Sequence, residues 1–379
     1  MSLFLEFHVI QNFAPSNLNR DDTGAPKDAL FGGHRRARVS SQCTKRTIRL
    51  GFKEHQLLPP QNCGVRTLKL RDLLVERLCA RPADEAAMKV EAVLSAAGLK
   101  FKDDGNTEYL LFLGDGEVSA LASMIDASWD EVVVSAEKKS KKDAKAGAAG
   151  NLGKKAKALL DGGKAVDVAL FGRMLADMPA VNQHAACQVA HAISTHRVER
   201  EFDYFTAVDD RGDEDSAGAG MIGQVEFNSA TFYRFAVLDL NKLLGNLQDD
   251  RELALAAVHA FTLALARAIP TGKQNSFAAH NPPEFVGVCL RHAAPMNLAN
   301  AFEKPVAPRR DESITEQSVR AMAAYKDKLE AVYGSHEDQW LALDLSGQWP
   351  TGSGAATKSL QELADAVQAV ATKALTEKG

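Results

Sequence analysis

The sequence predicts a mixed α+β fold, and three observations lead to this prediction. Short apolar runs typical of strands occur along the chain, such as EYLLFL at 108–113 and EFVGVCLRH at 284–292. Longer segments have helical periodicity, among them the strongly apolar segment at 252–268. Once an insertion is set aside, the segments follow one another as β, α, β, β, α, β, which is the ferredoxin-like order used by RNA-recognition folds.

The first predicted strand, at 3–11, is rich in apolar and aromatic residues. Residues 12–39 contain Gly24, Pro26, Gly32 and Gly33, and this composition predicts a long loop. A loop of that length is usually functional or disordered. It carries a set of cationic residues: Arg20, Lys27, Arg35, Arg36 and Arg38.

A helix is predicted to follow, capped by Ser40 or Ser41 and ending near residue 54. Helical spacing gives it two stripes, one of Cys43, Thr47 and Leu50 and the other polar and cationic, with Gln42, Lys45, Arg46 and Arg49. Cations beside the free N–H groups of a helix N-terminus form a surface that can follow a phosphate backbone without reading bases. The competing interpretation is an ordinary solvated basic surface.

The next 125 residues, from 56 to 180, are predicted to form an insertion. Helices are expected at 67–80, 84–97 and 117–128, with a strand at 108–113. The tract at 137–165 is rich in Lys, Ala and Gly, which predicts an exposed, mobile loop. Because no aromatic residues are interleaved with its lysines, it has no side chains on which bases would stack.

Beyond the insertion, a short strand is predicted at DVALFG (167–172) and a helix at 181–194. Two aromatic-rich strands at 196–208 and 222–240 flank an acidic, Gly-rich stretch at 209–220, which predicts a hairpin with a long polar tip. After the helix at 252–268 and the strand at 284–292, the chain is expected to end with a helix, a strand and a helix at 313–333, 338–345 and 357–377.

The charge distribution is asymmetric, although the net charge is only −4. Residues 1–71 have a balance of +7 and the remainder a balance of −11, so one end has the character of a phosphate-binding footprint. Five scattered cysteines without a CxxC pair and dispersed histidines indicate no disulfides and no metal site. No cofactor is expected. The absence of long apolar runs and of an export signal predicts a cytoplasmic protein without a membrane partner.

Three segments carry a resemblance to a known family. HVIQNFAPSNLNRDDTGAPKDALFGGHRRARVSSQCTKRTIR at 8–49 resembles the opening of the CasC (Cse-type) backbone subunit of the type I-E CRISPR surveillance complex, Cascade. The likeness continues in VAHAISTHRVEREFDYFTAVDD at 189–210 and GMIGQVEFNSATFYRFAVLDL at 220–240, and less distinctly through the C-terminal third. It therefore covers most of the chain.

The resemblance implies a hand-shaped, non-enzymatic protein that stacks head to tail with copies of itself along CRISPR guide RNA. Residues 1–55 and 181–379 would form a ferredoxin-like (RNA-recognition-like) palm, which includes a β-hairpin thumb at about 196–225. Residues 56–180 would form inserted helical fingers. The helical filament, assembled with other Cascade subunits, would present the guide to complementary target DNA in antiviral defence.

The resemblance also assigns roles to residues. Guide phosphates would be held in the palm by Arg20, Lys27, Ser40, Gln42, Lys45, Arg46 and Arg49. Tyr204 and Phe205 in the thumb would wedge the guide and displace a base at regular intervals, and Met174 would be an apolar wedge from the fingers. Lysines of the tract at 137–165 would contact target DNA: Lys138, Lys139, Lys141 and Lys142. Without the resemblance, Tyr204 and Phe205 would be interpreted as ordinary strand packing.

The alternative is a metal-dependent endoribonuclease, because related backbone subunits of RNA-targeting complexes use an aspartate in a loop comparable to the one that contains Asp21 and Asp22. Two-metal hydrolysis, however, needs several converging carboxylates, and His34 is the only obvious acid or base nearby. Capping of the turn into Thr23 and Gly24 is the simpler role for the two aspartates. A small-molecule enzyme is disfavoured because the nucleotide-binding and nucleophile-elbow motifs are missing.

Overall fold

The computed structural model describes residues 3–132, 148–160, 164–175, 178–207, 221–334 and 338–377. The chain divides into two compact units. The first, here called the sheet unit, comprises Met1–His55, Gln188–Leu240 and Val258–Gly379. The second, the helical unit, comprises Gln56–Cys187 and Asn241–Ala257.

The predicted α+β class is confirmed. The strands are β1 (Phe4–Ser16), β2 (Asp28–Phe31), β3 (His34–Val39), β4 (Gly64–Thr67), β5 (Leu111–Gly114), β6 (Cys187–Val189), β7 (Ala192–Ser194), β8 (Glu201–Ala207), β9 (Met221–Asp239), β10 (Phe285–Arg291), β11 (Gln339–Asp344) and β12 (Ala355–Ala356). The helices are α1 (Ser41–Glu54), α2 (Leu70–Arg77), α3 (Ala83–Ala97), α4 (Asp115–Ala127), α5 (Ala148–Leu160), α6 (Val166–Phe171), α7 (Leu240–Asn246), α8 (Arg251–Arg267), α9 (Gln274–Phe277), α10 (Ile314–Tyr333) and α11 (Leu360–Thr376). Within the residues described, no helix is both long and apolar enough to cross a membrane.

One large, mostly antiparallel sheet has the strand order β12-β11-β10-β1-β9-β7-β3-β2, with β6 and β8 also pairing with β9. Strand β1 is central and pairs with β10 on one side and β9 on the other. Both of its faces are covered: Phe7 packs edge-on against Phe261 of α8 at 5.1 Å, and Ile10, on the opposite face, joins a core with Val319 and Met322 of α10. This explains why β1 is a nearly continuous apolar run.

A buried polar network lies under the centre of the sheet. Arg291 donates from Nε to Glu6 Oε1 at 2.8 Å and from Nη1 to Asp338 Oδ2 at 2.5 Å. His8 Nδ1 lies 2.9 Å from the Tyr233 hydroxyl. Burial alone would raise the pKa of Glu6, but the hydrogen bonds and charges of His8 and Arg291 bring that pKa below its ordinary value. The network joins β1, β9 and β10 and favours a single register.

The predicted loop at 12–39 was largely wrong. Strand β1 continues to Ser16, and β2 and β3 form a hairpin in which Phe31 pairs with His34. Gly32 and Gly33, which had indicated a loop, are the two residues of the tight turn, with φ of 58° and 77°. Only the segment between β1 and β2 is a loop.

Three other elements differ from their predictions. Residues 166–171 form helix α6 and not a strand. The helix predicted at 181–194 is replaced by the short strands β6 and β7, because pairing with β9 overrides local propensity. Within the tract predicted as an exposed loop, residues 148–160 form α5, whose Leu152, Ala156 and Leu160 are spaced four apart and are buried in the core of the helical unit.

The helical unit contains the two-stranded sheet β4-β5 and a core built from α2, α3, α4 and α5. Its buried charges are satisfied. Arg173 donates from Nη1 to Glu117 Oε1 at 2.9 Å, and Lys89 donates from Nζ to the Trp129 carbonyl at 2.6 Å. Met174, the next residue after Arg173, is thereby held at a fixed place on the surface of this unit.

Candidate nucleic-acid interface

Helix α1 begins where the sequence predicts, and Ser40 is its cap. The Ser40 hydroxyl accepts a hydrogen bond from the Cys43 N–H at 3.3 Å. The Ser40 N–H in turn donates to Asn19 Oδ1 at 2.9 Å, which ties the helix N-terminus to the preceding loop. Because Ser40 is buried, its place in the structure is to hold this junction together.

The polar and cationic stripe of α1 faces away from the core. The buried face consists of Thr44, Ile48, Gly51 and Phe52, and not of the Cys43, Thr47 and Leu50 stripe. The predicted phosphate-binding residues on the helix are exposed or half-buried: Gln42, Lys45, Arg46 and Arg49. The helix therefore presents its cations at the surface of the sheet unit.

The loop that carries Arg20 and Lys27 is held by its own hydrogen bonds. Asp21 Oδ1 accepts from the Thr23 hydroxyl at 2.7 Å, from the Thr23 N–H at 2.9 Å and from the Ala25 N–H at 3.0 Å. These bonds, that of the hydroxyl foremost, lower the pKa of Asp21. The Asp21 carboxylate is thus occupied as a cap of the turn, while Asp22 is exposed.

A groove of about 360 Å³ lies between this loop and α1. Arg20 comes from the loop and Arg46 from the helix, so the structure brings together two predicted phosphate-binding residues that are 26 positions apart. The remaining lining residues are Leu18, Asn19, Asp21, Cys43, Thr47, Thr271 and Gly272. Two guanidinium groups at one groove form a suitable site for a phosphate group.

Thr271 and Gly272 form a wall of the groove that sequence reasoning missed. A Cβ atom on Gly272 would lie 2.3 Å from the Leu18 carbonyl oxygen and 2.7 Å from that of Asn17. The loop can therefore approach the other wall only because this residue is glycine. In the sequence, a glycine in a Pro/Gly/Asn-rich segment indicates a turn, and the contact with residue 18 exists only in the tertiary structure.

A second cationic group lies nearby on the same unit. Arg38 Nη1 lies 3.0 Å from His191 Nδ1, and Arg38 Nε donates to the Asp28 carbonyl at 3.0 Å. Burial, followed by the positive charges of Arg38 and Lys27, lowers the pKa of His191. A neutral imidazole can accept the arginine's hydrogen bond and leaves the positive charge uncompensated.

Arg36 does not belong to this surface, although it was grouped with the loop cations. Its side chain is 0% exposed. The guanidinium donates to the carbonyls of Ser194 at 3.0 Å, Phe302 at 2.7 Å and Glu303 at 3.1 Å. Because β3 alternates its faces, Arg36 points inward.

The hairpin of β8 and β9 carries unusual aromatic exposure. Tyr204 is 67% exposed and Phe202 is 59% exposed, and because they are two residues apart they share one face of β8. Phe205 is on the other face, with its ring over Gly223, where a Cβ would come within 2.2 Å. Ordinary strand packing does not account for Tyr204, so that interpretation was wrong. Phe202 was missed, although its alternation with Tyr204 was a usable signal.

Met174 lies on the surface of the helical unit with 83% of its area exposed. An exposed methionine on a loop anchored by a buried ion pair is consistent with an apolar contact. The four tract lysines predicted to bind DNA, Lys138, Lys139, Lys141 and Lys142, lie outside the described residues. Among the residues that the structure does describe, no three His, Cys, Asp or Glu side chains are grouped as metal ligands.

The fold and surface together define an α+β protein with a cationic groove and an exposed aromatic hairpin on one sheet unit. The chain belongs to the family of CT1975-like Cas proteins, whose family model matches residues 5–369. It is similar to a chain of a solved "CRISPR RNA-guided surveillance complex, pre-nicking", with 30% identity and a TM-score of 0.85 over 97% of this chain and 100% of that one. A chain of another "CRISPR RNA-guided surveillance complex" is 25% identical, with a TM-score of 0.74 over 97% and 99%. No curated protein matches the chain.

Proposed function

We propose that this protein is the guide-RNA-binding backbone subunit of a CRISPR surveillance complex of the type I-E Cascade kind. The observation that carries the proposal is the cationic groove of Arg20 and Arg46, in a chain that is similar over almost its whole length to chains of RNA-guided surveillance complexes. Copies of the protein would pack head to tail along the guide as a filament in the cytoplasm.

The sheet unit supplies the framework of this proposal. Its inner strands β10, β1, β9 and β7 are neighbours in that order, with α1 and α8 between the successive strands of the chain. This corresponds to the order of strands in a ferredoxin-like palm, and the β8-β9 hairpin corresponds to the thumb. The helical unit corresponds to the fingers.

Guide phosphates would lie along α1 and the loop before it, in contact with Arg20, Lys27, Gln42, Lys45, Arg46 and Arg49. Such contacts depend on the backbone and leave the bases unread, as a subunit that holds guides of any sequence requires. Sequence recognition is then left to pairing between the guide and the target DNA. Ser40 would act through the helix N-terminus that it caps.

The exposed aromatic face of the hairpin would act on the bases. Stacking of a base on an aromatic ring stabilises binding by about 1–3 kcal/mol whatever the base. Phe202 and Tyr204 therefore suit a wedge that interrupts the guide at intervals, with Phe205 behind them and Met174 as a second apolar contact. The tract lysines would meet the target DNA.

We further propose that the protein is not an enzyme. All three hydrogen bonds to Asp21 Oδ1 come from its own loop, which supports a capping role over a metal-binding one. The endoribonuclease alternative is tested by incubating the guide complex with Mg²⁺ or Mn²⁺. RNA cleavage that is lost in Asp22→Ala would overturn the non-enzymatic proposal.

The proposed guide binding is tested by charge reversal on α1. We expect the double variant Lys45→Glu with Arg49→Glu to lose guide-RNA affinity by more than about tenfold and to lower the salt dependence by about 0.7 per lost phosphate contact. The matched control reverses two cations on another surface, Lys358→Glu with Lys373→Glu at α11, and should bind normally. Affinity is measured by fluorescence anisotropy at several salt concentrations. Equal binding by both double variants would show that α1 does not hold the guide.

A further inference from the structure

Arg200 lies immediately before β8, at the base of the aromatic hairpin, and bridges two carboxylates. Its Nη2 donates to Asp28 Oδ2 at 2.9 Å and its Nη1 to Glu226 Oε2 at 3.0 Å. Asp28 belongs to β2 and Glu226 to β9, so one guanidinium joins both strands of the hairpin to the edge of the large sheet. All three side chains are about one-quarter exposed, which reduces solvent screening of the pairs.

The main chain of the hairpin is held at the same point by Asn17. The Asn17 side chain is buried, and its Nδ2 donates to the carbonyl of Glu226 at 2.9 Å and to that of Gly24 at 3.0 Å. Gly24 belongs to the loop that carries Arg20 and Lys27. The hairpin base and one wall of the cationic groove therefore share a common fixing point.

Asp28 connects this point to further cations. Its carboxylate also accepts from Arg35 Nη1 at 2.7 Å, and its carbonyl accepts from Arg38 Nε. Burial would lower the pKa of Arg200, but the hydrogen bonds and charges of Asp28 and Glu226 raise it above its ordinary value. Both the geometry and the charges hold Arg200 in this position.

We infer that Arg200 is a positioning residue that sets the direction of Phe202 and Tyr204 with respect to the cationic groove. This inference rests on the proposed function, in which the groove holds phosphates while the hairpin displaces bases. Strand β8 has 7 residues and hence extends about 23 Å at about 3.3 Å per residue. A tilt of about 10° at its base moves the far end by about 4 Å, which is more than the separation of stacked bases.

The test separates guide binding from base displacement. The protein is assembled on guide RNAs that carry 2-aminopurine at successive positions, since the fluorescence of this base rises when it is unstacked. We expect a periodic pattern with the native protein. Arg200→Gln should flatten that pattern while the guide affinity stays within about threefold, because Arg200 is already neutralised by its carboxylates.

Arg197→Gln is the matched control. It removes the same charge three residues earlier, from an exposed side chain whose ion pair is with the equally exposed Glu199. The periodic pattern should persist in this variant. Arg200→Lys keeps the charge but loses the two-pronged geometry, so we expect a partly flattened pattern.

The outcomes distinguish the inference from the proposed function. A native-like pattern in Arg200→Gln would overturn the positioning role and leave guide binding intact. Failure of the native protein to bind guide would overturn the proposed function itself. Should Arg200→Gln fail to fold, Glu226→Gln removes one arm of the bridge only, and an unchanged pattern in that variant would equally overturn the inference.

Discussion

The interior of the sheet unit and the cationic groove use arginine in opposite ways. Arg36, in the interior, spends its donors on three main-chain carbonyls from two distant segments. Arg46, only ten residues later, is exposed and lines the groove with Arg20. The comparison teaches that a cluster of cations in a sequence contains both structural residues and candidate ligand-binding residues, and that burial separates them.

The largest effect is expected from substitution of the interior arginine. Arg36→Met should lower the free energy of unfolding by about 3 kcal/mol or more, because buried carbonyls lose their donors. Arg46→Met should leave stability within about 0.5 kcal/mol and instead weaken guide RNA binding. Denaturant unfolding and RNA anisotropy on both variants measure the two effects. Similar unfolding curves for the two variants would contradict the distinction.

A smaller effect should distinguish the interior by its response to pH. Burial lowers the pKa of His8, so His8 stays neutral in the folded protein at pH values where the unfolded chain takes up a proton. Its contribution is therefore present above the unfolded pKa of about 6.5 and is lost as pH falls below it, at up to about 1.4 kcal/mol per pH unit. Denaturant unfolding from pH 7.5 to 5 should show this slope, and His8→Gln should reduce it.

His191 and His196, whose pKa values are also lowered by burial first, contribute to the same slope. His8→Gln is therefore compared with His191→Gln, in which a partly exposed side chain is changed. An identical slope in the native protein and in His8→Gln would show that the buried network does not titrate in this range.

The smallest effect is expected at the groove wall. In Gly272→Ala, the added Cβ conflicts with the Leu18 carbonyl and should displace the Thr271 loop, which we expect to reduce guide affinity by about fivefold, or about 1 kcal/mol. The control, Gly245→Ala, adds a Cβ with nothing within 4 Å in a helix and should leave affinity unchanged. RNA anisotropy at constant salt measures both. Equal affinities would exclude this wall from the binding site.

Local sequence signals were sufficient for some elements. Ser40 as a cap, the helix after it and the strands at β9, β10 and β11 follow from capping chemistry and hydrophobic periodicity. The position of Tyr204 on a strand was also predictable. Its exposure was not, because period-2 aromatics have the same pattern whether or not another layer covers them.

The remaining features depend on contacts between distant residues. The burial of Arg36 is set by carbonyls more than 150 positions away, and the strands β6 and β7 exist because β9 offers them a partner. Likewise, Gly32 and Gly33 indicate a loop and a tight hairpin turn equally well until β2 and β3 are paired. The groove required the meeting of three segments, of which the sequence identified two.

Strand β9 has 19 residues and belongs both to the large sheet and to the aromatic hairpin without a break. Since successive residues of a strand face opposite sides, one inserted or deleted residue near Asn228 would invert every side chain on one side of that point. Either the core around Tyr233 or the pairing opposite Tyr204 would then be lost. Length variation among relatives of this protein is therefore expected at the hairpin tip and not along the strand, and this segment should serve as a fixed ruler when their sequences are aligned.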